Sequence, residues 1–543
     1  MFRGFILTAI FSALAFGQTA ELVVTNARIH TLNPKQPRAS AIAVRDGHIL
    51  AVGDDLAQYI DASTRVIDAE DHVILPGLID AHGHVRELGA ALDEVDLRGL
   101  PSPAAVAEKV HAASGQKKPG EWIIGRSWDQ NLWPSKQFPT AADLGPSAQN
   151  PIALTRVDGH AVWVNRKAMD LAGIKATTPD PAGGKIIRDK AGAPTGVFLD
   201  TAQDLIRRKI PPPTQEQVEL DLLRATQELA HYGLTTVHDA GIGASEIAGY
   251  RTLIKEGMLP IHIYAMLLGS DAKLVDAWLA KGPEIHDDLT VRAIKLFADG
   301  ALGSRGAALI DPYSDDPGNR GLLILDRAAI RSVAERAAAK GFQVATHAIG
   351  DRAVRTTLEA YGDVLKGEND KRFRIEHAQV VALEDFPKFA QYSIIASMQP
   401  THATSDMAWA PQRIGPERIL GAYAWKSFLR LGVHVASGSD FPVESPNPMY
   451  GLYSAITREE KDGTPPNGWY PDQRMTRDQA LRSFTVEGAY AGFEEDRKGT
   501  LEPGKLADFI LISGDPLTMP SAGIWKTRVM MTVAGGKIVY STR

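Results

Sequence analysis

The chain has 543 residues, with 59 basic and 65 acidic side chains, a formal charge of −6, 44% hydrophobic residues and no cysteine. A weakly acidic balance without a basic excess excludes an electrostatic nucleic-acid footprint, and the composition is that of ordinary globular material able to bury a large core. The missing thiols exclude a disulfide scaffold, a cysteine nucleophile and a thiolate zinc site, so any metal is held by His, Asp, Glu or a modified Lys.

The N-terminus reads as a secretory signal over residues 1–17: Arg3, an apolar run from Phe5 to Phe16, then Ala15 and Gly17 before Gln18. The run is too short for a membrane span, which needs roughly 20 apolar residues. An exported protein, periplasmic or extracellular, is the expectation, with no stable membrane anchor after signal removal. Residues 18–75 then form short β-type runs such as LVVTNARIHTL and AIAVRDGHILAVG, and 491–543 return to that style in ADFILISGDP and VMMTVAGGKIVY. Each piece is too short for its own core, so the two are expected to combine into one β-sandwich.

Between them, residues 76–490 alternate short apolar strands with helical stretches such as Glu216 to Tyr232 and Ala328 to Ala339. This alternation predicts an α/β fold, a (β/α)8 TIM-like barrel. Strands are expected to end near Asp80, Arg156, His238, Phe297, His347, His377, Gln399 and Asp440. The chain near 85–230 exceeds what two strand–helix units need, and part of it reads as an inserted lobe.

The chemistry-bearing residues fall at those strand ends. His82 and His84 form an HxH pair in GLIDAHGHV, and residues two apart in a strand face one side, so both imidazoles can converge on one ion. A bare HxH can equally be structural. His347 closes GFQVATH, His377 closes RFRIEH and Asp440 closes VHVASGSD, and core satisfaction would scatter such groups rather than gather them at strand ends. Asp440 could alternatively be a helix N-cap before FPVE.

In order, the motifs LVVTNARIHTLN, GLIDAHGHV, GRSWDQNLW, RVDGHAVWVN, TTVHDAG, KLFADGALGSRGAAL, THAIGDRAV, RIEHAQ, GSDFPVE and LEPGKLADFILI run through nearly the whole mature chain. The sequence resembles the amidohydrolase superfamily of metal-dependent hydrolases, within it the YtcJ-like branch that includes N-substituted formamide deformylases. The resemblance implies a barrel with a composite β-sandwich. It also implies metal binding by His82, His84, His347, His377 and Asp440, with Asp440 as the catalytic acid and base. Lys295 stands where binuclear members carry a carbamate formed with carbon dioxide, which bridges two cations; the plain alternative pairs Lys295 with Asp299. Mononuclear deaminases place a Glu just beyond the fifth-strand His, whereas HAIGDRAV offers only Asp351 in another register.

The expected function is hydrolysis of a non-peptide carbon–nitrogen bond in a small N-substituted amide. One or two divalent ions, zinc first among them, generate hydroxide and polarise the carbonyl, and Asp440 moves the proton to the departing amine. Competing readings are a mononuclear aminohydrolase of a ring amidine and a non-catalytic binding scaffold. Substrate contacts are expected from Trp128, Arg156, His160 and Trp163 in the insertion and from Gln399 and His402, with Asp406 nearby as a wall residue, after the seventh strand, although the tryptophans could simply pack the lobe. His238 reads either as a partner orienting a ligand imidazole or as a packing residue, and Asn447 and Pro448 read as turn residues. The expected partner is a small molecule, not nucleic acid, and a homodimer is the open option for assembly.

Overall fold

The computed structural model describes residues 19–542 apart from 116, 146–148, 157–160 and 182–183, so the signal reading of residues 1–17 and the His160 assignment lie outside the described residues. The chain forms two compact units, one of residues up to Leu88 with those from Glu219 onward, the other Gly89–Val218.

In the first unit, two sheets build a sandwich. One has the strand order His48–Gly53, Ala41–Arg45, Leu22–Thr25, Arg65–Asp68. The other joins both ends of the chain: Phe509–Ile512 lies antiparallel to Val73–Pro76, with Ile510 opposite Leu75, and antiparallel to Val529–Ala534 on its other side. Val24, Ile42, Ile74, Phe509, Leu511 and Val533 fill the space between the sheets. The alternating β-branched runs therefore find one shared core that neither terminus could build alone.

The barrel has eight parallel strands: β1 (Leu78–Gly83), β2 (Leu234–Ile242), β3 (His262–Leu268), β4 (Leu289–Phe297), β5 (Gln343–Ala348), β6 (Arg374–His377), β7 (Ile395–Met398) and β8 (Val435–Ser437). The strands are buried almost without interruption, as parallel strands covered on both faces must be. Ring closure runs through the segment after β8. Asp440 N donates to His82 O at 2.8 Å, His84 N donates to Phe441 O at 2.9 Å, and the Asp80 carboxylate accepts from Ser439 N and from Ser439 Oγ at 2.6 Å. Burial pushes the Asp80 carboxyl up to about 7, against the hydrogen bonds from Ser439 and His82.

Two sequence expectations change here. Ile152–Arg156 is a strand of the second unit, paired with Ile123–Trp128 and Ala161–Val164, and not a barrel strand. The third barrel strand is HIYAMLL at 262–268, which places His238 on β2. That strand ends in leucines, so a search for strands by the chemistry at their ends passes over it.

In the second unit, Trp128, Trp133 and Trp163 form one aromatic cluster with Leu97, Val106, Ile123 and Leu154. Trp128 stacks on Trp133 at a centroid distance of 5.9 Å and meets Trp163 edge-on at 6.0 Å. Among the described residues no helix is long and apolar enough to cross a membrane.

Candidate active site

The carboxyl ends of the barrel strands bring His82, His84, Lys295, His347, His377 and Asp440 into one cavity of about 370 Å³, which His402 also lines. His82 and His84 leave the end of β1 with ring centroids 5.5 Å apart. Asp440 Oδ1 lies 3.5 Å from His82 Nε2 and 3.2 Å from His84 Nε2, while its Oδ2 lies 3.7 Å from His402 Nε2. His377 sits 4.9 Å from the His82 ring and 4.5 Å from the His347 ring. Among the described residues two three-residue sets have ligand atoms close enough to share an ion, His82 with His84 and Asp440, and His377 with His402 and Asp440.

Local backbone geometry aims these groups. His377 and Asp440 have φ of +71° and +60°, a left-handed conformation unfavourable for side chains other than Gly, Asn or Asp. In both cases the chain turns as it leaves a barrel strand. Asp440 is not a helix cap, because the next helix, α1 (Pro448–Thr457), is capped by Asn447, whose side chain accepts from Met449 N at 3.0 Å. Asn447 is thus a cap rather than a plain turn residue.

The electrostatics favour neutral imidazoles at His82, His347 and His377, whereas the hydrogen bond and charge of Asp440 raise His84 against its burial. Burial, reinforced by Lys295, pulls His82 down to about 4 and His347 to about 3, and burial also holds His377 well below its ordinary value. Burial opposes ionisation of Asp440, yet the hydrogen bond with His84 and the surrounding imidazoles hold its carboxyl well below the usual range. Burial likewise brings the Lys295 ammonium down to about 8, with Glu376 and Asp440 opposing. Lys295 Nζ is 3.0 Å from His82 Nε2. Asp299 is not its partner: that carboxylate collects the backbone N–H groups of Ala308, Ile349 and Gly350.

A buried polar chain behind the site was not anticipated from the sequence. His82 Nδ1 donates to Glu376 Oε2 at 2.5 Å, and Arg374 Nη2 donates to the same oxygen at 3.0 Å, to Ala81 O and to Ser397 Oγ. Arg374 Nη1 meets His238 Nδ1 at 2.8 Å, so His238 touches the site only through two intermediaries. The signal was present in RFRIEH, where Arg374 and Glu376, two apart on one strand, face the same side inside the barrel.

The expected substrate residues divide. His402 lines the cavity, and its Nε2 is buried without a hydrogen-bond partner. Gln399 does not line it, because its Oε1 accepts from His377 Nδ1 at 2.8 Å and so turns the other ring nitrogen toward the site. Trp128 and Trp163 are fully buried, their indole N–H groups donating to Leu154 O and Thr140 O, so they pack the core of the second unit rather than offer a binding wall. Arg156 is engaged with Gln130 and Asp129 of that unit. Within the cavity the apolar wall consists instead of Phe297, Leu302, Ile349, Trp409 and Val443.

The sequence profile of the amidohydrolase family, Amidohydro_3, matches residues 65–540. The YtcJ amidohydrolase of Bacillus subtilis (strain 168) is 32% identical, with 94% of this chain and 98% of that protein covered. The N-substituted formamide deformylase of Arthrobacter pascens is 29% identical, with 96% and 99% covered. Among solved structures, an uncharacterized metal-dependent hydrolase from Pyrococcus horikoshii OT3 is similar at a TM-score of 0.79 and 27% identity, covering 92% of this chain and 99% of that one. With this barrel, and with imidazoles and a carboxylate gathered at its strand ends, the chain belongs to the amidohydrolase family and is a metal-dependent amidohydrolase.

Proposed function

We propose that the enzyme hydrolyses the carbon–nitrogen bond of a small N-substituted amide, releasing an acid and an amine. The observation that carries this reading is Asp440, whose Oδ1 faces the HxH pair while Oδ2 faces His402 and the cavity. The similarity to a formamide deformylase over nearly the whole chain supports a small acyl group.

The donor set fits divalent cations, zinc first among them: imidazoles of which His82, His347 and His377 are buried and held neutral, one ionised carboxylate and no thiolate. His82, His84 and Asp440 would hold one ion; His347, His377 and a carboxylated Lys295 would hold a second, with His402 within reach. Such a cation, when bound, lowers the pKa of water and polarises a carbonyl. The reading of Lys295 as a carbamate, formed with carbon dioxide, draws support from its burial, its lowered basicity and the engagement of Asp299 elsewhere. A neutral amine is the form that reacts with carbon dioxide.

The chain's own residues then divide the work. Glu376 and Gln399 fix the tautomers of His82 and His377 by accepting their Nδ1 protons. Asp440 Oδ2 takes the proton of the attacking water and returns it to the departing nitrogen, which is a poor leaving group unless protonated. His402 Nε2 is available to the substrate carbonyl oxygen. The apolar wall borders the space in which the substrate would lie. We further propose export to the periplasm or outside the cell, on the signal-like residues 1–17. The test of the activity is a screen of N-formyl and N-acyl amines against esters, lactams and ring amidines with the zinc-loaded protein. Release of a free amine from N-substituted amides supports the reading, and ammonia released only from ring amidines contradicts it.

A further inference from the structure

The cavity that holds the histidines also holds two carboxylates with no role in the scheme above. Among its lining residues Asp406 and Glu444 are acidic, and Lys295, deep beside His82, is the single Lys or Arg. Asp406 is not a solvated surface acid. Its Oδ2 accepts from Tyr423 Oη at 2.8 Å and from Gln379 Nε2 at 3.3 Å, and Gln379 also donates to Tyr423 Oη at 2.8 Å. Both partners are buried, and Arg458 anchors the same stretch by donating to Tyr423 O at 2.9 Å.

All the donors around Asp406 are neutral. Its other oxygen meets only Ser405 Oγ, at 3.5 Å, and among the described residues neither Asp406 nor Glu444 forms an ion pair. A carboxylate fixed in a largely buried position is normally matched by a cation, since desolvating it otherwise costs free energy. Beside it stands an aromatic and aliphatic wall: Trp409 packs over Gly303, and Leu302 and Val443 complete it, Val443 being 70% exposed. His402 is on the same short helix as Asp406, and its buried Nε2, 3.7 Å from Asp440 Oδ2, makes no hydrogen bond. An imidazole for the carbonyl, an apolar stem surface and a preorganised carboxylate together describe one extended ligand.

From this arrangement we infer that Asp406, assisted by Glu444, is the specificity-determining residue, selecting amides whose N-substituent is an apolar stem ending in an ammonium group and rejecting those ending in a carboxylate. This deepens the amide-hydrolase reading and rests on it. The indole of Trp409, which carries the Arg413 guanidinium 5.6 Å from its ring centroid, supplies apolar surface for the stem. A carboxylate-ended substituent would bring a third anion beside Asp406 and Glu444, where the one lining Lys or Arg among the described residues, Lys295, is held deep beside His82.

The experiment has two arms, both on the zinc-loaded enzyme. In the first, kcat/KM is measured for N-formyl amines of one stem length ending in ammonium, methyl or carboxylate. The expected order is ammonium, then methyl, then carboxylate, with roughly tenfold or more between the charged ends. Asp406→Asn should lower the ammonium-to-methyl ratio by about tenfold and raise the carboxylate-to-methyl ratio; Glu444→Gln should do the same more weakly. Equal rates for the three ends, or a loss in D406N that leaves the ratios untouched, overturns the inference. The second arm needs no turnover: binding of 3-phenylpropylammonium and of 3-phenylpropionate is followed by calorimetry in parent, D406N and E444Q. Tighter binding of the ammonium in the parent, lost in D406N, supports the assignment even if no formamide is cleaved, in which case the amide reading alone fails. Tighter binding of the carboxylate overturns the inference.

Discussion

Glu376 accepts the Nδ1 proton of His82 at 2.5 Å, with both side chains fully buried. The pair is closed on its far side by Arg374, whose charge, together with His82 and Lys295, holds Glu376 ionised against the penalty of burial. One imidazole thus has a fixed tautomer and orientation before any ion arrives, and its Nε2 is directed at the site.

Glu376→Gln keeps the shape and removes the charge. It should weaken zinc affinity by about 10–100-fold, the scale of such supporting partners. Competition with a chromophoric chelator measures this directly. Unchanged affinity would make Glu376 a packing residue.

Asp440→Asn should lower kcat by about 10² or more, because the proton acceptor for water and donor for the amine is lost. Most of the metal should remain on the histidines, checked by elemental analysis. A change confined to KM would remove Asp440 from the proton transfer.

For Lys295, the expected state is a carbamate seen as a carboxyl carbon after growth or exchange in labelled bicarbonate. Its amine titrates near 8, so the neutral fraction rises as pH rises through that value. At a fixed concentration of dissolved labelled carbon dioxide, uptake by metal-free protein should therefore be faster at pH 9 than at pH 7. Lys295→Ala should lose one ion per chain and recover partly with short carboxylates. A single ion in the parent with an unlabelled lysine would favour mononuclear chemistry.

Trp128→Ala and Trp163→Ala each remove a fully buried indole and its hydrogen bond. Each should destabilise the protein by about 3–5 kcal/mol, the scale of Trp deletions from a core, read from chemical denaturation. The relative rates on aromatic and aliphatic amides should stay as in the parent. A selective loss on aromatic amides would return these residues to the binding site.

Much of this was legible because strand–helix alternation and imidazoles at strand ends are local signals. His82, His84, His347, His377 and Asp440 could be named from position alone, and the structure brings them into one cavity. Four things were hidden. The strand 262–268 carries no functional side chain at its end, and Ile152–Arg156 has the apolar pattern of a barrel strand while pairing in another sheet. Tryptophans among polar residues look like a pocket, yet their N–H groups found backbone carbonyls and their rings found one another. Glu376 serves a histidine 294 positions away, a pairing that only the closed barrel reveals. Trp409 reaches the cavity from beyond β7, where no motif marks it.

The central claim is that a cation held by these residues cleaves the bond between an acyl group and a substituted amine. Its most direct test is the quantitation of both products from one N-substituted formamide, using protein stripped by chelation and then reloaded with zinc. The stripped protein should show no turnover and, after reloading, should release equal amounts of formate and free amine. Full activity in the metal-free protein, or reloaded protein that releases neither product from any N-substituted amide, would contradict it.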